Sequence, residues 1–134
     1  MPIFATDSTR FSAVVKHEYE PTLGTCRESI VINDVVATLP VGTVLGKVTA
    51  TGKYKVALAA AVDGSQVPSA ILIADYIGLS HDITLVAATD TKALVLVRGP
   101  AIVAGPALTL GTGITLAVAT AAFKTAGILA ETSL

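Results

Sequence analysis

Few side chains in this sequence have the types and spacing that catalysis requires. The two histidines, His17 and His81, lie far apart, and a general base needs an orienting partner within hydrogen-bond reach. Ser80, His81 and Asp82 imitate part of a Ser-His-Asp set, but consecutive loop residues rarely converge as a triad, and the sequence contains no Gly-x-Ser-x-Gly motif. We therefore interpret residues 80–82 as a solvated loop, with a small hydrolase as an alternative, and His17 as a packing or interface residue.

Metal, nucleotide and cofactor motifs are incomplete throughout the sequence. One cysteine and two separated histidines do not supply the four ligands of a closed zinc site. The Asp-Gly-Ser at 63–65 lacks the ligand spacing and terminal Glu of a calcium loop, and the Gly-Thr-Gly at 111–113 lacks the Gly-Lys-Thr ending of a phosphate loop. We expect no enzyme activity, no cofactor, no metal and no small-molecule substrate, and we predict a turn at 63–65.

The composition is unusually apolar for a soluble monomer. Hydrophobic residues make up 52% of the chain and charged residues 14%, whereas about 25% of residues are charged in a typical globular protein. The uncharged stretch 99–123 is long enough to span a membrane, but prolines and glycines interrupt it and no Lys/Arg cluster or aromatic belt brackets it. We therefore expect no membrane insertion, and we expect apolar surface to be buried against other subunits.

Net charge and cysteine content exclude further classes. The formal net charge is −1 and the nine basic residues form no cluster, so we expect no nucleic-acid partner. Cys26 is the single cysteine, which excludes an internal disulfide and fits synthesis in a reducing cytoplasm. We interpret it as a small buried thiol, with a thiolate activated by Arg27 as the alternative. The first seven residues lack the basic and apolar regions of a signal peptide.

Charged residues concentrate at the start of the chain, where the sequence also alternates. Lys16, Glu18 and Glu20 fall on one side of a period-2 pattern, and Val14 is an exception to it. The other side carries Phe11, Ala13, Val15, His17 and Tyr19. This pattern predicts an extended segment with one apolar edge, whose glutamates protect it against uncontrolled strand pairing. The sequence therefore predicts an extended N-terminal arm at 1–26 and a β-rich core domain at 27–134.

Short β-branched runs separated by turn residues dominate the core domain. We predict strands within 28–38, with a turn near Asn33 and Asp34, and at 43–49, 54–60, 68–74, 93–97 and 128–130. The run at 93–97 is typical of a strand buried on both faces. A single helix is predicted at about 115–126, capped by Thr112 or Thr115 and ended by Gly127. The predicted fold is mainly β (β-rich α+β), a small barrel or sandwich-like domain with one C-terminal helix.

Several phrases in order resemble the head decoration protein family of tailed bacteriophages. They are Leu-Pro-Val-Gly-Thr-Val-Leu-Gly-Lys-Val-Thr at 39–49, Gly-Lys-Tyr at 52–54, Asp-Gly-Ser at 63–65, Pro-Ser-Ala-Ile-Leu at 68–72, Ala-Leu-Val-Leu-Val-Arg-Gly-Pro-Ala at 93–101 and Ala-Ala-Phe-Lys-Thr-Ala-Gly-Ile-Leu at 121–129. Each of these segments by itself is also a common way to form a turn or to end a helix. The resemblance therefore depends on their order and spacing from about 28 to 129.

The resemblance implies a capsid-stabilising virion protein. Such proteins sit as homotrimers on the outer surface of an icosahedral head, at threefold and quasi-threefold positions, where they clamp neighbouring major capsid subunits. By position only, residues 1–26 match the arm that reaches the shell in this family. We take Phe11, Val15, His17 and Tyr19 as candidate capsid-binding residues, because an extended arm can add a strand to an exposed sheet edge.

One other function class remains open at this point. An oligomeric β-barrel binding module could attach to another viral or cellular assembly through the same arm. In either case, a truncation starting near Arg27 should leave a body that oligomerises while its attachment weakens. A body that became monomeric and insoluble would contradict the division into arm and core.

Overall fold

The computed structural model describes residues 14–18, 27–34, 37–75, 83–85, 89–98 and 101–131. Its strands are β1 (Val15–Glu18), β2 (Arg27–Ile32), β3 (Ala37–Leu39), β4 (Val44–Lys47), β5 (Tyr54–Val56), β6 (Pro68–Asp75), β7 (Ile83–Leu85), β8 (Thr91–Leu96), β9 (Ala101–Ala104) and β10 (Ile128–Glu131). A 3-10 helix covers Gly105–Ala107, and the helix α1 covers Leu116–Thr125. The predicted β-rich fold with one late helix is confirmed.

Five strands close into a small barrel in the order β2-β5-β4-β6-β8. All pairs are antiparallel except β2 with β5, which meet in parallel where Ile32 faces Tyr54. Because side chains alternate along a strand, Ala70 and Leu72 of β6 point into the barrel, whereas Ile71 and Ile73 point out of it. All four side chains are fully buried, so β6 has core on both sides.

The same alternation explains β8. Ala93 and Val95 lie in the barrel interior, and Leu96 packs on the opposite side with the outward residues of β6. All three are fully buried. The prediction of a strand at 93–97 with two buried faces is therefore confirmed.

A second layer covers the outer side of β4, β6 and β8. It consists of α1 and a three-stranded sheet in the order β1-β9-β10, in which β9 and β10 are parallel and are connected through the 3-10 helix and α1. Val14, Val103, Phe123 and Ile128 from this layer share one core with Val44 of the barrel. The small pair β3-β7 contributes Leu39, Ile83 and Leu85 to the other core, inside the barrel.

The ends of α1 follow the capping rules. The Thr115 side chain accepts a hydrogen bond of 3.2 Å from the backbone N–H of Val118, which selects Thr115 over Thr112 as the cap. Gly127 has φ = 87°, a conformation that glycine adopts without a steric penalty just past a helix end. Ala119 and Phe123, one turn apart, are the buried residues of the helix.

Three details of the strand prediction were wrong, and one of them is the strand β7, which was not predicted. The strand predicted at 54–60 ends at Val56, because Ala57 turns its N–H to Val44 and the backbone of Leu58 and Ala61 closes a turn. The strand β9 lies in the uncharged stretch 99–123, where no strand was predicted. Its pairing partners are distant in sequence, so local turn signals did not indicate it.

Two glycines allow the chain to cross itself at close range. A Cβ at Gly46 would overlap the carbonyl oxygen of Ser65, and one at Gly111 would overlap that of Ala57. Both contacts fix the connection between β5 and β6, one near each end. Glycine is required at these positions because any side chain would push the backbones apart.

Candidate binding surface

The first described strand is an edge strand. β1 pairs antiparallel with β9, so that Val15 faces Val103, His17 faces Ile102 and Glu18 faces Ala101. Among the described residues β1 has no partner on its other side. Its outer edge therefore offers backbone N–H and C=O groups to an added strand.

The candidate residues of the arm fall in different places. Val15 is 7% exposed and belongs to the core beneath α1, together with Val14. The backbone of His17 lies in β1, whereas Phe11 and Tyr19 lie outside the described residues. The register shifts between Val15 and His17, so a bulge interrupts the predicted alternation at Lys16. Capsid contact by these four residues stays a prediction, as does the boundary between arm and core at residue 26.

One flank of the barrel carries a set of paired charges. We call it the charged flank; its members are Glu28, Lys53, Lys55, Asp63, Asp90 and Arg98. A carboxylate oxygen of Asp90 accepts hydrogen bonds from the Asn33 amide at 2.8 Å and from Nζ of Lys53 at 2.9 Å. The two hydrogen bonds, first that from Asn33, lower the pKa of Asp90. Asp90 thus connects the end of β2 to the loop before β5.

Asp63 fixes the connection between β5 and β6 to the same flank. Its carboxylate accepts hydrogen bonds from Oγ of Ser65 at 2.6 Å and from the Ser65 backbone N–H at 3.1 Å, and these bonds lower its pKa. Nζ of Lys55 lies 3.6 Å from the other carboxylate oxygen, and the Asp63 carbonyl accepts from the N–H of Thr49 at 2.9 Å. The predicted turn at 63–65 is confirmed, and it holds a fully buried Ser65 against Gly46.

A second surface is apolar and exposed. We call residues 58–62 (Leu-Ala-Ala-Ala-Val) the apolar ridge; Leu58 is 37% exposed and Val62 is 95% exposed. We call Ala117, Val118 and Ala121 the helix face, since they are the exposed positions in the first turns of α1. The ridge meets the approach to α1 where the N–H of Ala59 donates to the Thr112 carbonyl at 3.1 Å.

The sequence signalled this apolar surface only indirectly. Residues 58–60 were assigned to a strand, and the helix face was treated as part of an alanine-rich helix. The usable signal was the missing charge: neither 57–62 nor 99–123 contains an ionisable side chain. A surface helix ordinarily shows charged or polar residues on its outer face.

The residues considered for catalysis and metal binding contribute little to the described surface. Ser80, His81, Asp82 and Cys26 lie outside the described residues. In the part of the chain that the structure describes, no three His, Cys, Asp or Glu side chains lie together as a metal site would need. The same part contains no helix of the length and hydropathy that a membrane span requires.

Comparison with known proteins identifies the family. The family model of the bacteriophage lambda head decoration protein D matches residues 5–130, nearly the whole chain. Searches of the curated proteins and of the solved structures gave no significant match. The matched range includes β1, both cores, the apolar ridge and α1. The ordered phrases, the β-barrel with its late helix and this match agree, and the chain belongs to the bacteriophage lambda head decoration protein D family.

Proposed function

We propose that this protein binds the outer surface of an icosahedral phage head as a homotrimer and stabilises the capsid by clamping neighbouring major capsid subunits. The observation that carries the proposal is the family match over 5–130, since membership in this family implies a structural role in the phage capsid. As a capsid component the protein is part of the virion. The trimer, the outer surface and the clamping are the proposed refinements of that role.

The proposed attachment uses the arm at 1–26. Because β1 has an open edge among the described residues, a capsid segment can add to the sheet β1-β9-β10 by main-chain hydrogen bonding. In this scheme Phe11, His17 and Tyr19 would supply side-chain contacts, and the burial of Val15 anchors the base of the arm in the core. An anchored base is useful, since less backbone entropy is lost when the partner strand binds.

Three arms on one trimer make the attachment strong. A single added strand binds weakly, but a second and third arm on the same particle bind at a high effective concentration. Avidity can then exceed a single contact by roughly 10² to 10⁴-fold. Binding that favours the assembled shell over its separated subunits stabilises the shell by mass action.

Heads that lack a decoration protein provide the test. Purified protein is added to such heads after expansion, bound protein is counted by sedimentation, and the temperature of DNA release is measured with and without it. We expect saturable binding and a raised release temperature. No binding to expanded heads, or binding without a change in release temperature, would contradict the proposal.

The structure also shows where a truncated chain should begin if it is to separate the arm from the body. A chain starting at Arg27 loses Val14 and Val15, which are core residues, so its failure would report on folding as well as on attachment. A chain starting at Val14 keeps β1 and the core and removes only the preceding residues. We expect this shorter truncation to keep the oligomeric state of the full chain and to bind heads more weakly.

A further inference from the structure

We propose that the barrel opens and recloses at the seam between β2 and β5, and that the Asp34 carboxylate is the latch that holds this seam shut. Within the described barrel, β2 and β5 alone meet in parallel, and their pairing consists of Ile32 with Tyr54. In contrast, β2 pairs with β8 along its whole length, and β5 pairs with β4 along its whole length. Each strand of the seam is therefore held more firmly by its other neighbour.

A side chain replaces the main chain just beyond the single pair of the seam. The N–H of Asn33 donates to the Tyr54 carbonyl at 2.9 Å, as a parallel ladder requires. The next main-chain donor of β5 toward β2 is the N–H of Val56, and a continued ladder would give it a main-chain carbonyl. It donates instead to Oδ2 of Asp34 at 3.0 Å. The ladder therefore ends on a carboxylate.

A second carboxylate also connects the two sides of the seam, in different surroundings. Asp90 accepts from the Asn33 amide at 2.8 Å and from Nζ of Lys53 at 2.9 Å, but the side chains of Lys53 and Asp90 are 40% and 49% exposed. Exposed ion pairs contribute little, because water and salt screen them. The hydrogen bond to Asp34 is partly buried, and a charged acceptor makes such a bond stronger than a neutral one. Asp34 therefore holds the seam, and Asp90 supports it.

Opening the seam separates β5 from β2 and turns the closed barrel into an open sheet. Ile32 is fully buried and Tyr54 is 7% exposed, and both belong to the core inside the barrel. Because exposing them to water costs free energy, the open form is a minor state. It needs less free energy than global unfolding, since the other strand pairs stay formed. The latch lies within one chain, so it does not depend on the proposed attachment to the capsid.

Hydrogen exchange of the full-length protein, followed by NMR, tests the opening. The N–H of Asn33 reports on the seam, and that of Leu72, which donates to the Thr43 carbonyl at 2.9 Å, reports on the rest of the barrel. After correction for intrinsic rates, we expect Asn33 to exchange at least about 10-fold faster than Leu72 and to depend less on denaturant, because a local opening exposes less surface. Equal exchange with equal denaturant dependence would overturn the proposal.

Substitutions at Asp34 test the latch. Asp34→Asn keeps a neutral oxygen acceptor for the N–H of Val56, whereas Asp34→Ala removes the acceptor. We expect the exchange of the Asn33 amide to accelerate by about 10-fold or more in Asp34→Ala and by less in Asp34→Asn, since a bond to a charged group is lost or weakened. An unchanged rate at Asn33 in Asp34→Ala would show that the carboxylate does not hold the seam.

Two control variants separate the latch from general effects. Glu28 is an exposed carboxylate of the same strand and pairs with Arg98 at 3.5 Å, on the side of β8, so Glu28→Gln should leave the rate at Asn33 unchanged. Thr115→Ala weakens the fold outside the seam, so it should accelerate Leu72 but leave Asn33 unchanged. Acceleration of Asn33 in either control as large as in Asp34→Ala would contradict a latch at Asp34.

A disulfide across the seam tests the same opening without a substitution at Asp34. Residues 33 and 55 follow the pair of Ile32 and Tyr54 in register and point away from the barrel interior by alternation, at a strand separation that a disulfide can bridge. Asn33→Cys with Lys55→Cys, in a Cys26→Ser background, is compared in its oxidised and reduced forms. We expect residue 33 to exchange no faster than Leu72 once oxidised. Persistent fast exchange at residue 33, with the disulfide verified by mass spectrometry, would rule out opening at the seam.

Discussion

On the charged flank, ionisable side chains are paired across the barrel strands, whereas the apolar end, formed by the ridge and the helix face, exposes alanine and valine. Asp90 and Asp63 each have a basic partner and at least one further hydrogen bond. Residues 57–62 contain no ionisable side chain. A surface of paired charges is compatible with exposure to water. At the apolar end, by contrast, removing apolar surface from water lowers the free energy.

These two regions show how a chain with 14% charged residues distributes its charges. On β4, β6 and β8 the side chains that face the second layer are apolar and buried, as Val44, Ile71 and Leu96 show. The pair β2 and β5 has no such cover among the described residues, and ionisable side chains lie there. The apolar end is different, because its exposed side chains, among them Val62 and Val118, are uncharged.

The largest expected effect comes from removing the anchor of the apolar end. Phe123 is 1% exposed and fixes α1 to the core that it shares with Val14, Val103 and Ile128. Phe123→Ala should lower the free energy of unfolding by about 3–5 kcal/mol, because it deletes buried surface and leaves a cavity. Urea unfolding measures this loss. A change below about 1 kcal/mol would mean that the helix does not depend on this core.

A smaller effect is expected where the charged flank holds the loop of the ridge. Gly46→Ala places a Cβ against the backbone of Ser65, so the turn at 63–65 must move away from β4. We expect a loss of about 1–3 kcal/mol in the free energy of unfolding. Gly52→Ala is the control, because its Cβ would make only an ordinary contact with Cε of Lys47 at 3.9 Å, and the positive φ of 74° opposes it at about 1–2 kcal/mol. Equal losses in the two variants would contradict a steric role for Gly46.

The helix cap should contribute less. Thr115→Ala removes the acceptor for the N–H of Val118 and should cost about 1 kcal/mol, measured by thermal or urea unfolding. Thr112→Ala, three residues earlier and also exposed, should change stability by less than about 0.5 kcal/mol. A larger loss of stability in Thr112→Ala than in Thr115→Ala would mean that Thr112 is the helix cap.

The smallest expected effect is on the loss of folding stability at acid pH. The pKa values of Asp63 and Asp90 are lowered in the folded state, first by the hydrogen bonds from Ser65 and Asn33 respectively. Their contribution is therefore present above the unfolded-state pKa, about 3.9, and is lost as pH falls through the lower folded-state values. The double variant Asp63→Asn and Asp90→Asn should lose less stability than the wild type between neutral pH and that range. Parallel curves of stability against pH would contradict these assignments.

Local sequence signals predicted the elements whose causes are local. The Thr115 cap, the alanine-rich interior and Gly127 were sufficient for α1, and the Asp-Gly-Ser turn was correctly placed. The apolar run at 93–97 indicated burial on both faces because an uninterrupted run has no solvent side. The strands β7 and β9 and the end of β5 were missed because long-range pairing decides them.

For the binding surface, the sequence by itself determined a chain short of charge, with one long uncharged stretch at 99–123 and several shorter ones that include 57–62. Only the tertiary structure decided which of those residues are covered. Val103 and Phe123 are buried between the barrel and the second layer, whereas Val62 and Val118 remain exposed. Composition records how much apolar surface a chain carries, but burial depends on which distant segments pack together, and no local pattern encodes that choice.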